Sequence, residues 1–63
     1  MALSPREEEI VRYIGQGLRN AEIAKTLAIS EETVKTHLTK IFRKIGVRDR
    51  IELALYAARV GSN

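Results

Sequence analysis

Apolar residues recur every three or four positions in four stretches of the chain, which is the spacing of amphipathic α-helices, and no stretch alternates as a strand would. The clearest stretch covers residues 31–45. At about 100° per residue its apolar side chains share one arc roughly 100° wide. These side chains are Val34, Leu38, Ile41, Phe42 and Ile45. The pattern predicts an all-α fold in which this helix turns one side to a core and the other to solvent.

Capping residues delimit the first helix. Ser4, with Pro5 at the first helical position and Glu7 three positions after the cap, forms a capping-box pattern. Gly15, followed by Gly17, is expected to end the helix. Glu7 points towards the apolar side, so it is expected either to serve the cap alone or to pair with a cation on the third helix as well.

The other three helices are delimited in the same way. The expected N-caps are Asn20, Ser30 and Asp49. The second helix is barely two turns long, the third covers about 31–45 and ends at Gly46, and the fourth covers about 49–60.

The connection between the second and third helices is very short. Only Ala28 and Ile29 separate Leu27 from Ser30, so the chain bends sharply, and apolar Ile29 is expected to fill the angle. This is the spacing of a helix-turn-helix, although the turn lacks the glycine often found there. Any small helical protein can join two helices by a short turn, so the spacing gains weight only from the chemistry of the third helix.

The solvent side of the third helix carries hydroxyls and cations. Eleven Lys and Arg against eight Asp and Glu give a net charge of +3, and the acids gather in the first turns of helices. After its first turn the third helix has no acid. Its outward residues there are Lys35, Thr36, Thr39, Lys40, Arg43 and Lys44. Such a face suits the phosphates and base edges of DNA in the major groove.

Length and composition narrow the alternatives. A chain of 63 residues is expected to form one domain, residues 1–63, and to bury only about 60% of its unfolded surface. The absence of cysteine fits the cytoplasm and excludes thiolate metal sites, and the longest apolar run, 53–58, is far too short to span a membrane. No Gly-rich phosphate loop or partnered histidine supports an enzyme, a cofactor or a small-molecule ligand. The main rival is a helical protein-interaction module; RNA binding is less favoured because the aromatic residues are needed for packing.

The fourth helix has more apolar residues than one core-facing side requires. One side carries Ile51, Ala54, Leu55 and Ala58. The other side is expected to form a homodimer interface, and its residues are Leu53, Tyr56, Ala57 and Val60. Packing against a second copy would explain the surplus, and alanines would allow close approach. The alternative is that small apolar residues are simply tolerated on the surface.

Several motifs together carry a family resemblance. They are Leu3-Ser4-Pro5-Arg6-Glu7, Asn20-Ala21-Glu22-Ile23-Ala24, Thr33-Val34-Lys35-Thr36-His37 and Lys44-Ile45-Gly46-Val47, with Gly17, Leu27, Ile29-Ser30, Ile41 and Arg50. The chain resembles the LuxR-type helix-turn-helix domain, the output module of bacterial response regulators of the NarL/FixJ class and of quorum-sensing regulators, which also occurs as standalone GerE-like proteins. The resemblance covers Leu3 to about Ala58. It implies a three-helix core with the third helix as recognition helix, and a C-terminal dimerisation helix.

The resemblance also implies roles for individual residues. The base-contacting positions are Lys35, Thr36 and Thr39, and the adjacent Lys40 is grouped with them. The phosphate-contacting positions are Asn20, Ser30, Thr33, His37, Lys44 and Arg48. Arg43 is added to them because it is a cation on the outward side of the third helix. A phosphate hydrogen bond is favoured for His37 because a lone histidine is poor evidence for a metal site or a pH switch. Arg19 departs from the family, which usually has Ser or Thr there.

The expected function follows from the resemblance. It is sequence-specific binding of double-stranded DNA by a transcription regulator, as a dimer on an inverted repeat, with RNA polymerase as a further candidate partner. Family members usually carry a receiver or ligand-binding domain ahead of this module. The chain is therefore expected to be either an output domain of a larger regulator or a standalone protein.

Overall fold

The computed structural model describes residues 2–61, and these contain four α-helices and no β-strand. The helices are α1 (Pro5–Gly15), α2 (Asn20–Leu27), α3 (Glu31–Ile45) and α4 (Arg50–Val60). The predicted all-α, four-helix fold is confirmed, with α3 at the predicted bounds. The predicted domain 1–63 also includes residues 1, 62 and 63, which lie outside the described range.

Three of the four predicted N-caps are confirmed. At α1, the Ser4 hydroxyl accepts from the Glu7 amide at 3.2 Å, and the Ser4 amide donates to the Glu7 carboxylate at 2.8 Å. Ser30 accepts from the amide three positions on at 3.0 Å, and Asp49 accepts from the Glu52 amide at 2.9 Å. These side chains satisfy amides that have no partner within the helix, so each helix begins at a fixed residue.

The predicted cap of α2 is wrong by one position. Arg19 occupies the N-cap and Asn20 is the first helical residue. Arginine has no side-chain acceptor, and Glu22 supplies the other half of a capping box instead, because its carboxylate accepts from the Arg19 amide at 2.7 Å. The Asn20 side chain is thereby left for a contact outside its own helix.

The bend between α2 and α3 is made without glycine. Ala28 adopts φ 57° and ψ 43°, the left-handed conformation, and is the single non-glycine residue in the described range with a positive φ. The Ile29 amide donates to the Ala24 carbonyl at 3.0 Å, which closes the turn. Ile29 is half-buried against the core, as predicted. The helix-turn-helix is therefore built with a strained alanine at its corner.

The core joins two helix pairs. α1 packs chiefly on α4, α2 packs on α3, and α1 also contacts α3. The buried apolar residues are Ile10, Val11, Ile14, Ile23, Ala24, Val34, Leu38, Ile41, Leu53 and Ala57. At the α1–α4 crossing, a Cβ built on Gly15 would lie 2.7 Å from the Ala57 Cβ. The two helices can come this close because one residue has no side chain there.

The larger residues on the two sides of α4 are placed opposite to the prediction. Leu53 is fully buried and Ala57 is 7% exposed, so both belong to the core of one copy and cannot form the predicted dimer interface. Ile51 and Leu55, on the side that was not assigned to the dimer interface, are 74% and 58% exposed. Both sides of α4 are apolar, so the helical period alone does not tell which side meets α1.

The other two residues of the predicted dimer interface are also placed by this packing. Tyr56 is half-buried against the core, and Val60 is 56% exposed near the end of the helix. Residues on the opposite side, Ile51, Leu55 and Ala58, lie in solvent. We call these three residues the outward stripe of α4.

Candidate nucleic-acid interface

The outward side of α3 is presented as the sequence predicts. Val34 and Ile41 are fully buried and Leu38 is 6% exposed, which fixes the rotation of the helix about its axis. The opposite side then faces solvent. The predicted base-contacting residues Lys35, Thr36, Thr39 and Lys40 all lie there and are all exposed. The structure therefore brings these four side chains together on one accessible surface, which we call the reading face.

The two threonines of the reading face have their hydroxyl hydrogens engaged. Thr36 donates to the Glu32 carbonyl and Thr39 donates to the Lys35 carbonyl, both at 3.1 Å. Such bonds to the preceding turn are common for threonine in helices. They direct each hydroxyl along the helix and leave oxygen lone pairs and a methyl group for an incoming partner. A base amino group or a thymine methyl would complement these groups.

The N-terminus of α3 adds two exposed hydroxyls. The Ser30 oxygen, which caps the helix, lies 2.9 Å from the Thr33 hydroxyl oxygen. Both residues are exposed, as a phosphate contact requires. Glu31 and Glu32 lie beside them in the first turn, where carboxylates favour the helix but oppose a polyanion. Attraction for a phosphate would therefore have to come from the cations further along the helix.

Lys44, which the sequence predicts as a phosphate contact, is paired with a carboxylate inside the domain. Its Nζ lies 2.8 Å from the Glu7 carboxylate, and the Lys44 side chain is 25% exposed while that of Glu7 is 5% exposed. The hydrogen bond from Lys44, and after it the one from the Ser4 amide, holds the pKa of the Glu7 carboxyl below its ordinary value. Lys44 lies at the border between the two sides of α3, so its long chain can reach inward. Pairing with a cation on the third helix, one of the two roles expected for Glu7, is confirmed, and its partner is Lys44.

Asn20 is tied to α4 by a contact that the sequence analysis missed. Arg50, the first residue of α4, donates from Nη1 to the Asn20 side-chain oxygen at 2.7 Å and from Nη2 to the Leu18 carbonyl at 2.6 Å. Asn20 is half-buried in this position. The sequence contains one signal of this contact. A cation in the first turn of a helix opposes the helix dipole, so Arg50 is expected to have a partner outside its own helix.

The other predicted phosphate contacts differ in accessibility. Arg43 is exposed near the end of α3, and His37 is half-buried at the edge of the reading face. Arg48 lies between α3 and α4 with its side chain 89% exposed, and its Nη2 is 3.3 Å from the Glu52 carboxylate. An exposed ion pair of this kind is weak, so a phosphate can compete for the guanidinium.

Metal sites, membrane-spanning helices and cavities are the other features that bear on function in the part of the chain that the structure describes. Residues 2–61 contain no group of three His, Cys, Asp or Glu placed to hold a metal ion. None of their helices combines the length and apolarity needed to cross a membrane. A shallow hollow of about 360 Å³ between the α3–α4 connection and α4 is lined by Ile45, Val47, Glu52, Leu55, Tyr56 and Arg59. The prediction that the chain is not an enzyme stays a prediction.

Comparison with known proteins agrees with the geometry. Residues 1–57 match the family described as bacterial regulatory proteins, luxR family. An HTH-type transcriptional regulator of Mycobacterium bovis is 46% identical over 61 residues, which are 97% of this chain and 7% of that protein. The transcriptional regulatory proteins LnrK and LiaR of Bacillus subtilis are 48% and 47% identical over 59 and 58 residues, or 94% and 92% of this chain. The chain spans only 27% and 28% of the length of those two relatives.

Proposed function

We propose that this chain, which belongs to the luxR family of bacterial regulatory proteins, reads a specific DNA sequence by inserting α3 into the major groove. The observation that carries the proposal is the reading face. Four exposed side chains that can meet base edges lie opposite a buried apolar stripe on one helix, and a short turn joins that helix to α2. An α-helix fits the major groove, where each base pair presents a distinct set of donors and acceptors.

Different residues of the reading face are assigned different contacts. Lys35 and Lys40 carry donors that suit the N7 and O6 acceptors of guanine. Thr36 and Thr39 offer a lone pair and a methyl group, because their hydroxyl hydrogens are directed at backbone carbonyls. The preferred sequence should therefore contain guanine opposite the lysines, and a base with an amino or methyl group opposite the threonines.

Residues around the reading face are assigned to the phosphates. They are Asn20, Ser30, Thr33, His37, Arg43 and Arg48. Contacts of this kind fix the position of the domain on the duplex and contribute most of the salt-dependent affinity. Lys44 is left out because Glu7 holds its amine at 2.8 Å. Asn20 can contribute through its amide nitrogen, since its oxygen accepts from Arg50.

The proposed active species is a dimer on an inverted repeat. Ile51 and Leu55 are large apolar side chains in solvent, and with Ala58 they form a continuous stripe along α4. Contiguous exposed apolar surface of this kind usually serves an interaction. Packing the outward stripe against its copy about a two-fold axis would give two reading faces on half-sites about 10 base pairs apart. Such a protein would act in the cytoplasm on the chromosome; contact with RNA polymerase stays a prediction.

The proposal is tested by selecting bound sequences from a pool of random duplexes at near-physiological salt. Lys35→Ala should lower the affinity for the selected sequence by about 1 to 3 kcal/mol and relax the preference at one position. Lys25, an exposed lysine on α2, provides a control for loss of charge. Lys25→Ala should leave the selected sequence unchanged. An equal loss on all sequences for Lys35→Ala would make Lys35 a phosphate contact, and no enrichment by the parent chain would defeat the proposal.

A further inference from the structure

The outward stripe and the reading face lie on different helix pairs. α4 packs on α1, and α3 packs on α2, while α4 has no extensive packing with either α2 or α3. In a dimer formed through α4, the distance between the two reading faces depends on how α4 is oriented relative to α2 and α3. Any direct bond between these pairs therefore bears on which DNA sites a dimer can fit.

Arg50 makes such a bond. It begins α4, next to Ile51 of the outward stripe, and its guanidinium reaches the opposite pair at the start of α2. One nitrogen donates to the Asn20 side chain at 2.7 Å and the other donates to the Leu18 carbonyl at 2.6 Å. The two acceptors lie on either side of Arg19, the residue that caps α2. Arg50 thus holds the entry of α2 from two points.

An arginine suits the two acceptors at this position, and its presence is not explained by any benefit to α4 itself. A cation at the start of a helix opposes the helix dipole, so Arg50 does not favour α4 itself. The planar guanidinium presents two donors in a fixed geometry, whereas a lysine ammonium would place one point charge. Short bonds from a charged donor to two acceptors, all half-buried, restrict rotation of α4 about its contact with α1.

We infer that Arg50 is a positioning residue that sets the angle between α4 and the helix-turn-helix, and through it the half-site spacing that a dimer accepts. This inference rests on the proposed function, since it needs both DNA binding by α3 and a dimer through α4. A direct phosphate contact by Arg50 is a different role. It would require the guanidinium to leave both of its protein acceptors.

The experiment measures affinity for a single half-site and for inverted pairs whose centre-to-centre spacing is varied around about 10 base pairs. Arg50→Met removes the donors and keeps a long side chain, and Arg50→Lys keeps the charge without the two-point geometry. Arg48→Met is the matched control, because it removes an equal charge two positions earlier from a side chain that is 89% exposed. Circular dichroism and thermal unfolding establish that each variant is folded.

The expected results separate positioning from binding. The parent should prefer its best spacing over one changed by two base pairs by about tenfold or more. Arg50→Met should bind a single half-site within about threefold of the parent and lose most of the spacing preference, with Arg50→Lys between the two. Arg48→Met should weaken binding at every spacing alike and lower its salt dependence.

Two results would overturn the inference. One is a spacing profile for Arg50→Met and Arg50→Lys that is parallel to that of the parent. The other is an equal loss of affinity on single and paired half-sites. Failure of the proposed function is distinguishable because it is seen with the parent chain alone. If the parent does not bind duplexes, the proposal that α3 reads DNA is wrong. If the parent binds without any spacing preference, the proposed dimer is wrong. If Arg50→Met does not fold, Arg50→Lys decides the question.

Discussion

The close approach of α1 and α4 gives a sharp prediction about stability. A Cβ on Gly15 would lie 2.7 Å from the Ala57 Cβ, whereas ordinary contacts between such atoms are 3.4–4 Å. Neither atom belongs to a flexible side chain, so Gly15→Ala must push the helices apart or distort them. Overpacking of this kind lowers the free energy of unfolding by about 1 to 3 kcal/mol. The better helix propensity of alanine offsets up to about 1 kcal/mol of this loss.

The same contact predicts a specific rescue. Ala57→Gly alone should destabilise the domain by about 1 to 2 kcal/mol, through helix propensity and the loss of one buried methyl group. In that background the added methyl at position 15 has room, so Gly15→Ala should be neutral or stabilising. The double mutant cycle should therefore yield a coupling energy of about 1 to 3 kcal/mol. Urea unfolding followed by circular dichroism measures all four proteins, and each kcal/mol corresponds to about 4 to 8 °C in Tm.

Gly17 provides the matched control. It has φ 89°, and a Cβ there would meet nothing within 4 Å. Gly17→Ala should cost about 1 kcal/mol through backbone strain alone. That cost should be the same with Ala57 or with glycine at position 57. The steric reasoning would be refuted by a neutral Gly15→Ala in the parent chain, or by a cycle whose effects simply add.

Three further predictions concern the ion pair, the phosphate contacts and the outward stripe. The pKa of Glu7 is lowered in the folded state, so its contribution to stability should be fully present above the ordinary glutamate pKa of about 4.3 and should be lost as the pH falls through the lowered value. Glu7→Gln should flatten this part of the profile of unfolding free energy against pH. Lys44→Ala should lower the unfolding midpoint and leave the salt slope of DNA binding unchanged, whereas Arg43→Ala should reduce that slope by about one unit and preserve stability. A reduced slope for Lys44→Ala would show that Lys44 contacts a phosphate. Leu53→Ala should lower the free energy of unfolding by about 2 to 5 kcal/mol, whereas Leu55→Ala should lower it by less than about 0.5 kcal/mol and should weaken cooperative binding to paired half-sites in a folded domain. Unchanged cooperativity for Leu55→Ala would show that Leu55 is not in the interface.

Much of the fold and the reading face could be predicted because the signals are local. The apolar period of residues 31–45 fixes which side of α3 is buried, so Lys35 and Thr36 were placed correctly without any knowledge of the other helices. Ser4 and Ser30 satisfy amides only three positions away, and such caps can be read directly from the sequence. The cap role of Glu7 follows in the same way, whereas its pairing with a cation on the third helix is only one of two alternatives that the sequence leaves open.

The errors occur where the answer depends on contacts between distant residues. Both sides of α4 are apolar, and the burial of Leu53 together with the approach of Gly15 to Ala57 shows which one faces the core. Asn20 suits a cap by residue type, but the bond from Arg50, 30 positions away, uses its side chain elsewhere. Lys44 lies at the border of the apolar arc, where a long side chain can turn to either side. Its direction is decided by a carboxylate on another helix.

The corner at Ala28 has a consequence for how the domain meets a duplex. An alanine held at φ 57° has far fewer neighbouring conformations than a glycine, so the angle between the two helices resists change even though the corner itself is strained. A helix pair that already holds its bound shape loses little conformational freedom on association. Ala28→Gly would relieve the strain and at the same time make the joint more pliable, so a gain in thermal stability would come with a larger entropic penalty on docking.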